Sequence, residues 1–351
     1  MDLEILGWDD FFADSFAPYA RDNYLAGRVA LDCSGIYRLY TEIGEWEAEL
    51  SGKLRYRAES REALPVVGDW VALRPREQNK AIIDAVLPRK TKFSRKVTGQ
   101  RIEEQLVATN IDTLFLVSGL DQDFNPRRIE RYLIMAKASG SNPVIVLNKA
   151  DICQDRDAKL HQVRDIASTV AILLVSAKQG EGLDMLMPFV NKGQTAALVG
   201  SSGVGKSTII NKLLGEERQK VGLVRENDDR GKHTTTHREL FILPDHGLII
   251  DTPGLRELQL WFSQTGLQDA FSDITALAEQ CYFTNCQHQD QPGCAIKEAL
   301  ENGQLSPERL DNYWKMLDEL RQLSEKQSLK SAYLEKQRSK KGSQPIKKFK
   351  K

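Results

Sequence analysis

Residues 195–208, TAALVGSSGVGKST, indicate the fold of the central part of the chain. An apolar, strand-like run leads into the pattern G-x-x-x-x-G-K-S/T, and a helix-like segment follows, which is the context that this pattern requires. Glycines let backbone N–H groups converge on a β-phosphate, and the helix N-terminus adds positive potential. The stretch therefore predicts a phosphate-binding loop made of Gly200, Ser201, Ser202, Gly203, Val204 and Gly205.

The residues after this loop predict contacts with phosphates and with Mg²⁺. We expect Lys206 to reach the β- and γ-phosphate oxygens, Ser207 to ligate Mg²⁺ and Thr208 to lie near the α-phosphate. A second strand-like run, GLII, ends in Asp251-Thr252-Pro253-Gly254. A carboxylate at a strand end can hold a Mg²⁺-bound water, so Asp251 is expected to act there.

A second pair of motifs indicates which base is bound. Asn148-Lys149-Ala150-Asp151 follows the strand VIVL, and Ser176-Ala177-Lys178 follows AILLV. A carboxylate at Asp151 can accept from both N1–H and the 2-amino group of guanine, whereas adenine lacks that pair and leaves the charge unpaired. Backbone N–H groups of the second motif would meet the guanine 6-oxygen. The pattern predicts GTP binding, with ATP as the poor alternative.

Between the phosphate loop and Asp251 lies the polar segment ENDDRGKHTTTHREL, residues 226–240. A segment of this kind is expected to be a mobile switch in which a threonine hydroxyl closes on Mg²⁺. Thr235 is favoured for that role over Thr234.

Many GTPases carry a water-orienting glutamine directly after the D-x-x-G glycine, but here that position is Leu255. Slow intrinsic turnover is therefore expected.

The order of the motifs is unusual. The guanine motifs precede the phosphate loop, and Asp251 comes last, whereas ordinary GTPases begin with the phosphate loop. This order arises if the original termini of an ordinary GTPase domain are joined and new termini are opened after the Asp251 strand and its switch. The same sheet then forms. Because domains with nearby termini tolerate such a cut, the order predicts a circularly permuted α/β domain with a mainly parallel sheet.

The flanking regions differ from this domain. Closely spaced strand-like runs between about residues 27 and 90 predict a small barrel, for which the five-stranded OB type is favoured and an SH3-like barrel is the alternative. Residues 1–26 are expected to form a short helix or an arm.

Inside the central domain, Asn125 and Pro126 are expected to cap and begin a helix, with further helices around 157–169 and 182–190. After residue 262 we expect a helix over 265–279, a long helix from Ser306-Pro307 and disorder beyond Ser339.

A cluster of metal-ligand type lies in the C-terminal region. Cys281, Cys286, His288 and Cys294 fall within fourteen residues, and three thiolates with one imidazole complete a tetrahedral Zn²⁺ site without an open position. The spacing therefore predicts a structural zinc ion. Cys33 and Cys153 lie apart and are interpreted as ordinary thiols.

Composition limits the function classes. The 351 residues are 41% hydrophobic and 28% charged, which excludes a wholly disordered chain. There is no run of about 18 apolar residues and no secretory signal, and the few cysteines suit a reducing compartment. We expect a cytoplasmic monomer without membrane contact.

Charge is unevenly distributed. Residues 336–351 carry eight Lys or Arg and no acid, and residues 85–102 carry six, including Arg89, Lys90 and Arg101. Such blocks either bind nucleic acid or form solvated linkers and tails, and charge alone does not separate the two. We expect the patch from Arg89 to Arg101, the barrel and the lysine-rich tail to contact RNA phosphates.

Taken together, these motifs resemble the RsgA (YjeQ/EngC) family of small-subunit-dependent GTPases over roughly residues 27–335. The resemblance rests on GSSGVGKST, GKHTTTHREL, DTPG, the permuted order, the preceding barrel and the Cys/His cluster. It implies an OB-fold that contacts 16S rRNA, a zinc domain that touches the 30S subunit, and action late in 30S maturation with turnover stimulated by that subunit. It also implies that His233 is the catalytic residue. The N-terminal segment is an extension relative to the family.

The resulting architecture is multidomain, with a barrel, a permuted P-loop GTPase domain and an α-helical zinc-binding domain. The expected division is an extension over 1–26, the barrel over 27–95, the GTPase domain over 96–262, the zinc domain over 263–338 and a basic tail over 339–351. Two other functions stay open. One is a permuted GTPase acting on the large subunit or another RNA particle, and the other is a nucleotide-gated RNA-binding module whose hydrolysis is incidental.

Overall fold

The computed structural model describes residues 1–20, 22–33, 35–58, 60–96, 104–215, 238–252, 264–288 and 291–342. The described residues up to Thr252 form one compact unit, and those from Gln264 onward form a second. Each unit has its own buried core. The finer boundaries expected from the sequence stay a prediction.

The first unit begins with a closed five-stranded barrel. Its strands are β1 (Leu25–Cys33), β2 (Ile36–Thr41), β3 (Gly44–Leu50), β4 (Trp70–Pro75) and β5 (Lys80–Val86). The order is β1-β2-β3-β5-β4, and β4 pairs back with β1. The β3–β5 pair is parallel, and this pairing in a closed barrel identifies the OB type and excludes the SH3-like alternative. Buried side chains alternate with more exposed ones along β3 and β5, whereas β1 and β4 each carry a continuous buried run. The core includes Leu39, Trp46, Val71 and Ile83.

Helix α1 (Asp10–Ala20) precedes the barrel, and helix α2 (Gly52–Arg57) connects β3 to β4. The N-terminal extension is part of the core, because Leu6 and Phe12 are fully buried and the Trp8 ring lies 4.7 Å from that of Trp70. The buried Arg28 side chain donates to the carbonyl of Leu6 and, at 3.0 Å, to that of Asn110. The extension therefore helps to join the barrel to the chain around Asn110, which leads into the central sheet.

The central sheet comes after a two-stranded ribbon of β6 (Lys92–Lys96) and β7 (Glu104–Thr109). Its strands are β8 (Thr113–Gly119), β9 (Asn142–Asn148), β10 (Ala171–Leu174), β11 (Thr195–Val199), β12 (Glu239–Ile242) and β13 (Leu248–Asp251). The order is β10-β9-β8-β11-β13-β12, parallel except for β12. The strand that leads into the phosphate loop is therefore central although it comes late in the chain, as a circular permutation requires.

Helices α3 (Pro126–Ser139), α4 (Arg156–Ile166) and α5 (Lys206–Leu214) accompany this sheet. The predicted cap is confirmed: the Asn125 side chain accepts from Arg128 N, and Pro126 begins α3. The helix predicted around 182–190 is instead a 3₁₀ helix over Leu183–Phe189. It contains Pro188, which lacks the N–H that an α-helical bond at that position needs.

The barrel and the central sheet are continuous. Strand β1 pairs antiparallel with β12, with Leu31 opposite Glu239, and Arg38 of β2 forms an ion pair with Glu239. Pairing along this edge covers backbone groups that both sheets would otherwise expose.

The second unit contains α6 (Gln264–Ala270), α7 (Ser272–Ala278), α8 (Ala295–Glu301) and α9 (Pro307–Gly342). The single helix predicted over 265–279 is wrong, because the chain leaves helical geometry at Phe271. Its ring is fully buried and packs 5.4 Å from that of Tyr313. The predicted start of the long helix is confirmed, with Ser306 Oγ accepting from Arg309 N at 3.2 Å, but this helix runs past Ser339 to Gly342.

Among the helices of the described residues, none combines the length and apolar character needed to cross a lipid bilayer.

Candidate functional site

The phosphate-loop sequence forms a tight turn between β11 and α5. Gly203 and Gly205 adopt φ values of +82° and +99°, which side chains rarely allow. A Cβ added at Gly205 would collide with the Asn148 amide nitrogen. Glycine is therefore required here both by the backbone and by the close approach of the neighbouring loop.

Lys206 is buried at the start of α5. Its ammonium donates to the carbonyls of Gly200 at 2.7 Å and Ser201 at 2.8 Å. Burial lowers the pKa of Lys206 to about 8. Two neutral carbonyl acceptors thus hold the ammonium over the loop. A bound phosphate would offer the ammonium a charged oxygen as acceptor in their place.

The guanine motifs meet the phosphate loop through Asn148. Its side-chain amide donates to Val204 O at 2.7 Å, and its amide oxygen accepts from Ala177 N at 2.9 Å. One buried side chain therefore ties together three loops that are widely separated in the sequence.

Asp151 lies beside the second guanine motif. Ser176 Oγ donates to one Asp151 carboxylate oxygen at 2.7 Å, which orients the carboxylate. Lys149 adopts a left-handed φ of +66°, and its ammonium forms a 2.5 Å ion pair with Asp121. Lys178 is exposed on the same turn as Ala177.

Asp251 is 1% exposed at the end of β13. Among the described residues, its Oδ2 atom has no hydrogen-bond partner. Burial raises the pKa of Asp251 to about 6, and the nearby Lys206 charge opposes that rise. A buried carboxylate oxygen without a partner beside a phosphate loop suits a cation or its bound water, so the residues present fit Mg²⁺. Ser207 lies in the first turn of α5, and Thr208 follows it.

The switch residues His233, Thr234 and Thr235, together with Gly254 and Leu255, lie outside the described residues.

Sequence reasoning missed a contribution from the segment after β8. Asp121 contacts Lys149, and Asp123 contacts both Ser201 of the phosphate loop and Arg128. The available signal was the spacing LDQD directly after an apolar strand, because polar side chains at strand carboxyl ends gather at one edge of a parallel sheet.

The four predicted metal ligands come together in the second unit. The ligand atoms of Cys281, Cys286, His288 and Cys294 all lie within 4.8 Å of one another. His288 Nδ1 is 3.4 Å from the sulfur of Cys281 and 3.7 Å from that of Cys294. Ligands about 2.0–2.3 Å from a tetrahedral zinc ion are separated by roughly 3.5–3.8 Å, so this cluster can hold a metal ion.

The basic segment over residues 85–102 contributes to the fold. Arg89, expected to be available to RNA, donates to both carboxylate oxygens of Asp69 at 2.7 and 2.6 Å and to the carbonyls of Glu62 and Leu64. Its side chain is only 9% exposed. Lys90 forms an ion pair with Asp9. Arg89 is therefore occupied within the protein, which corrects the sequence-based expectation.

Known proteins resemble this chain over most of its length. Residues 86–261 match the family model described as RsgA GTPase. A protein of Opitutus terrae named small ribosomal subunit biogenesis GTPase RsgA is 48% identical over 326 residues, which cover 90% of this chain and 89% of that protein. The protein of the same name from Methanosarcina acetivorans is 41% identical over 99% of this chain and 93% of its own length.

Solved structures agree with the fold. The crystal structure of YjeQ from Thermotoga maritima superposes with a TM-score of 0.64 at 28% identity, covering 85% of this chain and 98% of that one. YloQ, described as a circularly permuted GTPase, has a TM-score of 0.60 at 23% identity and covers 87% and 97%, which supports the fold alone. The chain therefore belongs to the RsgA GTPase family and is a circularly permuted GTP hydrolase.

Proposed function

We propose that the protein acts in late maturation of the 30S ribosomal subunit, binding rRNA in the GTP state and leaving after hydrolysis. The observation that carries this proposal is the 48% identity to a small ribosomal subunit biogenesis GTPase over 90% of the chain. A cytoplasmic monomer without membrane contact fits that role.

The geometry of the described residues supports the nucleotide roles of Asn148, Asp151, Lys206 and Asp251, and the role of Thr235 rests on the sequence alone. Asp151, oriented by Ser176, accepts from guanine. Asn148 holds the guanine loop, residues 148–151, and the phosphate loop together. Gly200–Gly205 and Lys206 bind the phosphates. Ser207, Asp251 and Thr235 hold Mg²⁺, which when bound neutralises charge on the β- and γ-phosphate oxygens.

Water activation is assigned to His233. Leu255 has no polar group with which to orient water, whereas an imidazole can orient or accept from it. We expect docking on the small subunit to bring His233 to the γ-phosphate. His233→Ala should then keep GTP and subunit binding but lower the stimulated turnover by about 100-fold, the low end of general acid–base contributions. Intact stimulated turnover would move the role to another group, such as one from the ribosome.

The surface of helix α2 supports RNA contact by the barrel. Lys53, Arg55 and Arg57 are exposed there, and Tyr56 is 92% exposed between the two arginines. Cations that track phosphates beside an aromatic ring that stacks on bases are the usual means of binding single-stranded RNA. In the RNA-binding hypothesis these side chains replace Arg89, whose guanidinium is bound to Asp69.

The Cys/His cluster is assigned one structural Zn²⁺ per chain. Three thiolates and one imidazole leave no ligand position open, so the ion would stabilise this part of the fold and take no direct part in hydrolysis.

One set of measurements tests the proposal against its alternatives. GTP turnover is measured with 30S, 50S and 70S particles, and cosedimentation is measured with a non-hydrolysable GTP analogue. Large stimulation and GTP-dependent binding by 30S alone are expected. Preference for 50S would favour a large-subunit factor, and RNA binding without stimulation would favour a nucleotide-gated RNA-binding module.

A further inference from the structure

The segment of residues 120–125, called the bridging segment, connects the carboxyl end of β8 to α3. Its first half is attached to the guanine loop. Leu120 N donates to Asn148 O at 2.8 Å, and Asp121 forms the ion pair with Lys149. The Lys159 ammonium donates to Leu120 O at 3.0 Å. The backbone and one carboxylate of this half are therefore held by Asn148, the last residue of β9, and by Lys149 and Lys159 after it.

The second half of the bridging segment is attached to the phosphate loop. Asp123 Oδ2 accepts from Ser201 Oγ and, at 2.7 Å, from the Arg128 guanidinium. The same Arg128 nitrogen donates to Ser201 Oγ at 2.9 Å. The three side chains form a closed triangle, and only Ser201 belongs to the phosphate loop.

Ser201 is consequently held at two points. Its hydroxyl is in the triangle, and its carbonyl accepts from Lys206. Hydrogen bonds from Arg128 and Ser201 hold the pKa of Asp123 below its usual value although burial acts in the opposite direction. The Asp123 carboxylate is therefore an ionised hydrogen-bond acceptor at neutral pH.

We propose that Asp123 and Arg128 are positioning residues that hold Ser201 and thereby preform the phosphate loop before nucleotide binds. They act through Ser201 and need not touch the nucleotide themselves. Because Asp121 of the same segment contacts Lys149, the segment also joins the phosphate loop to the guanine loop. This is a second bridge beside the one made by Asn148.

A simple surface ion pair is the competing explanation, since the Arg128 and Asp123 side chains are 34% and 39% exposed. Exposed pairs contribute little on average. The two explanations differ in what they predict: a surface pair affects at most stability, whereas a positioning pair affects the association of nucleotide with a preformed loop.

The test uses the full-length protein and fluorescent GDP and GTP analogues in stopped flow, with thermal unfolding of the nucleotide-free protein alongside. Asp123→Asn and Ser201→Ala should each weaken both affinities about tenfold, mainly by slowing association, because a charge-assisted hydrogen bond to the loop is lost. Ser201→Thr keeps the hydroxyl and should retain near-normal binding. Asp84→Asn, which breaks the comparable Arg74–Asp84 pair in the barrel, is the matched control and should leave nucleotide binding unchanged.

The double variant Asp123→Asn/Ser201→Ala decides whether the residues act as one unit. Its loss should be close to that of either single variant. Additive losses, or a loss for Asp123→Asn no larger than that for Asp84→Asn, would overturn the proposal. It rests on the phosphate-loop role proposed above, which Lys206→Ala tests separately: wild-type nucleotide affinity in that variant would refute the loop assignment itself.

Discussion

The nucleotide site and the Cys/His cluster are built in opposite ways. The polar side chains of the first come from positions as distant as Asp121 and Asp251, and they meet because the carboxyl ends of β8, β9, β11 and β13 share one sheet edge. The ligands of the second lie between Cys281 and Cys294, and the structure brings them within 4.8 Å of one another. The sheet core holds the nucleotide site, whereas the four residues of the Cys/His cluster can hold a metal ion.

This contrast predicts that metal removal has the largest effect. Cys286→Ala or a strong chelator should release one zinc per chain and unfold the segment around the cluster, because structural zinc contributes about 10 kcal/mol or more to folding. Metal analysis reports the loss, and intrinsic tryptophan fluorescence should also change, since the Trp314 ring lies 6.2 Å from that of His288. Nucleotide affinity should not change. Cys33→Ser is the control, and full zinc content with unchanged thermal stability in Cys286→Ala would contradict the assignment.

In the nucleotide site, the converse change is Lys206→Ala. Loss of the buried ammonium should weaken GTP binding on the order of 100-fold, because a charge-assisted hydrogen bond to phosphate disappears. Zinc content should stay at one per chain. Equilibrium titration with a fluorescent GTP analogue measures the change, and Lys212→Ala on the exposed side of the same helix should bind normally.

A change at the guanine-recognition residue Asp151 should weaken GTP binding less than Lys206→Ala does. Asp151→Asn replaces one acceptor by a donor and should weaken GTP binding by roughly 10-fold or more while improving xanthosine triphosphate binding. Competition between the two nucleotides gives the ratio. Asp155→Asn removes a nearby carboxylate outside the predicted guanine contacts and serves as the control. Unchanged GTP affinity in Asp151→Asn would remove the basis for the base assignment.

The smallest expected effects concern RNA binding. They distinguish the contribution of basic residues in the first unit from that of basic residues in the second. Replacing Lys53, Arg55 and Arg57 by glutamine should reduce the slope of log K against log salt by about 2 for binding to 30S particles. Deleting residues 336–351 should also flatten it. Arg89→Gln should lower thermal stability and leave the slope unchanged, because its guanidinium is bound to Asp69. An unchanged slope in the α2 variant would exclude that helix from RNA contact.

Local chemistry explains which parts of the fold were predictable. The cap at Asn125 and the start of α9 at Pro307 follow from residue types that satisfy backbone groups within one turn, and both are confirmed. The helix predicted over 265–279 fails because burial of Phe271 in its own unit outweighs local helix propensity. The basic character of Arg89 indicated RNA, but a partner 20 residues earlier in the chain decided its role.

The family, the permuted order of the motifs and the residue types at each ligand position can be predicted from the chain without coordinates, because short-range spacing dictates those features. Long-range contacts dictate that the barrel has OB topology, that β1 pairs with β12, and that Asp121 and Asp123 join the guanine and phosphate loops. The β1–β12 and Asp123–Ser201 contacts connect residues far apart in the chain. Their geometry depends on how sheets pair and pack, which no local pattern of residues encodes.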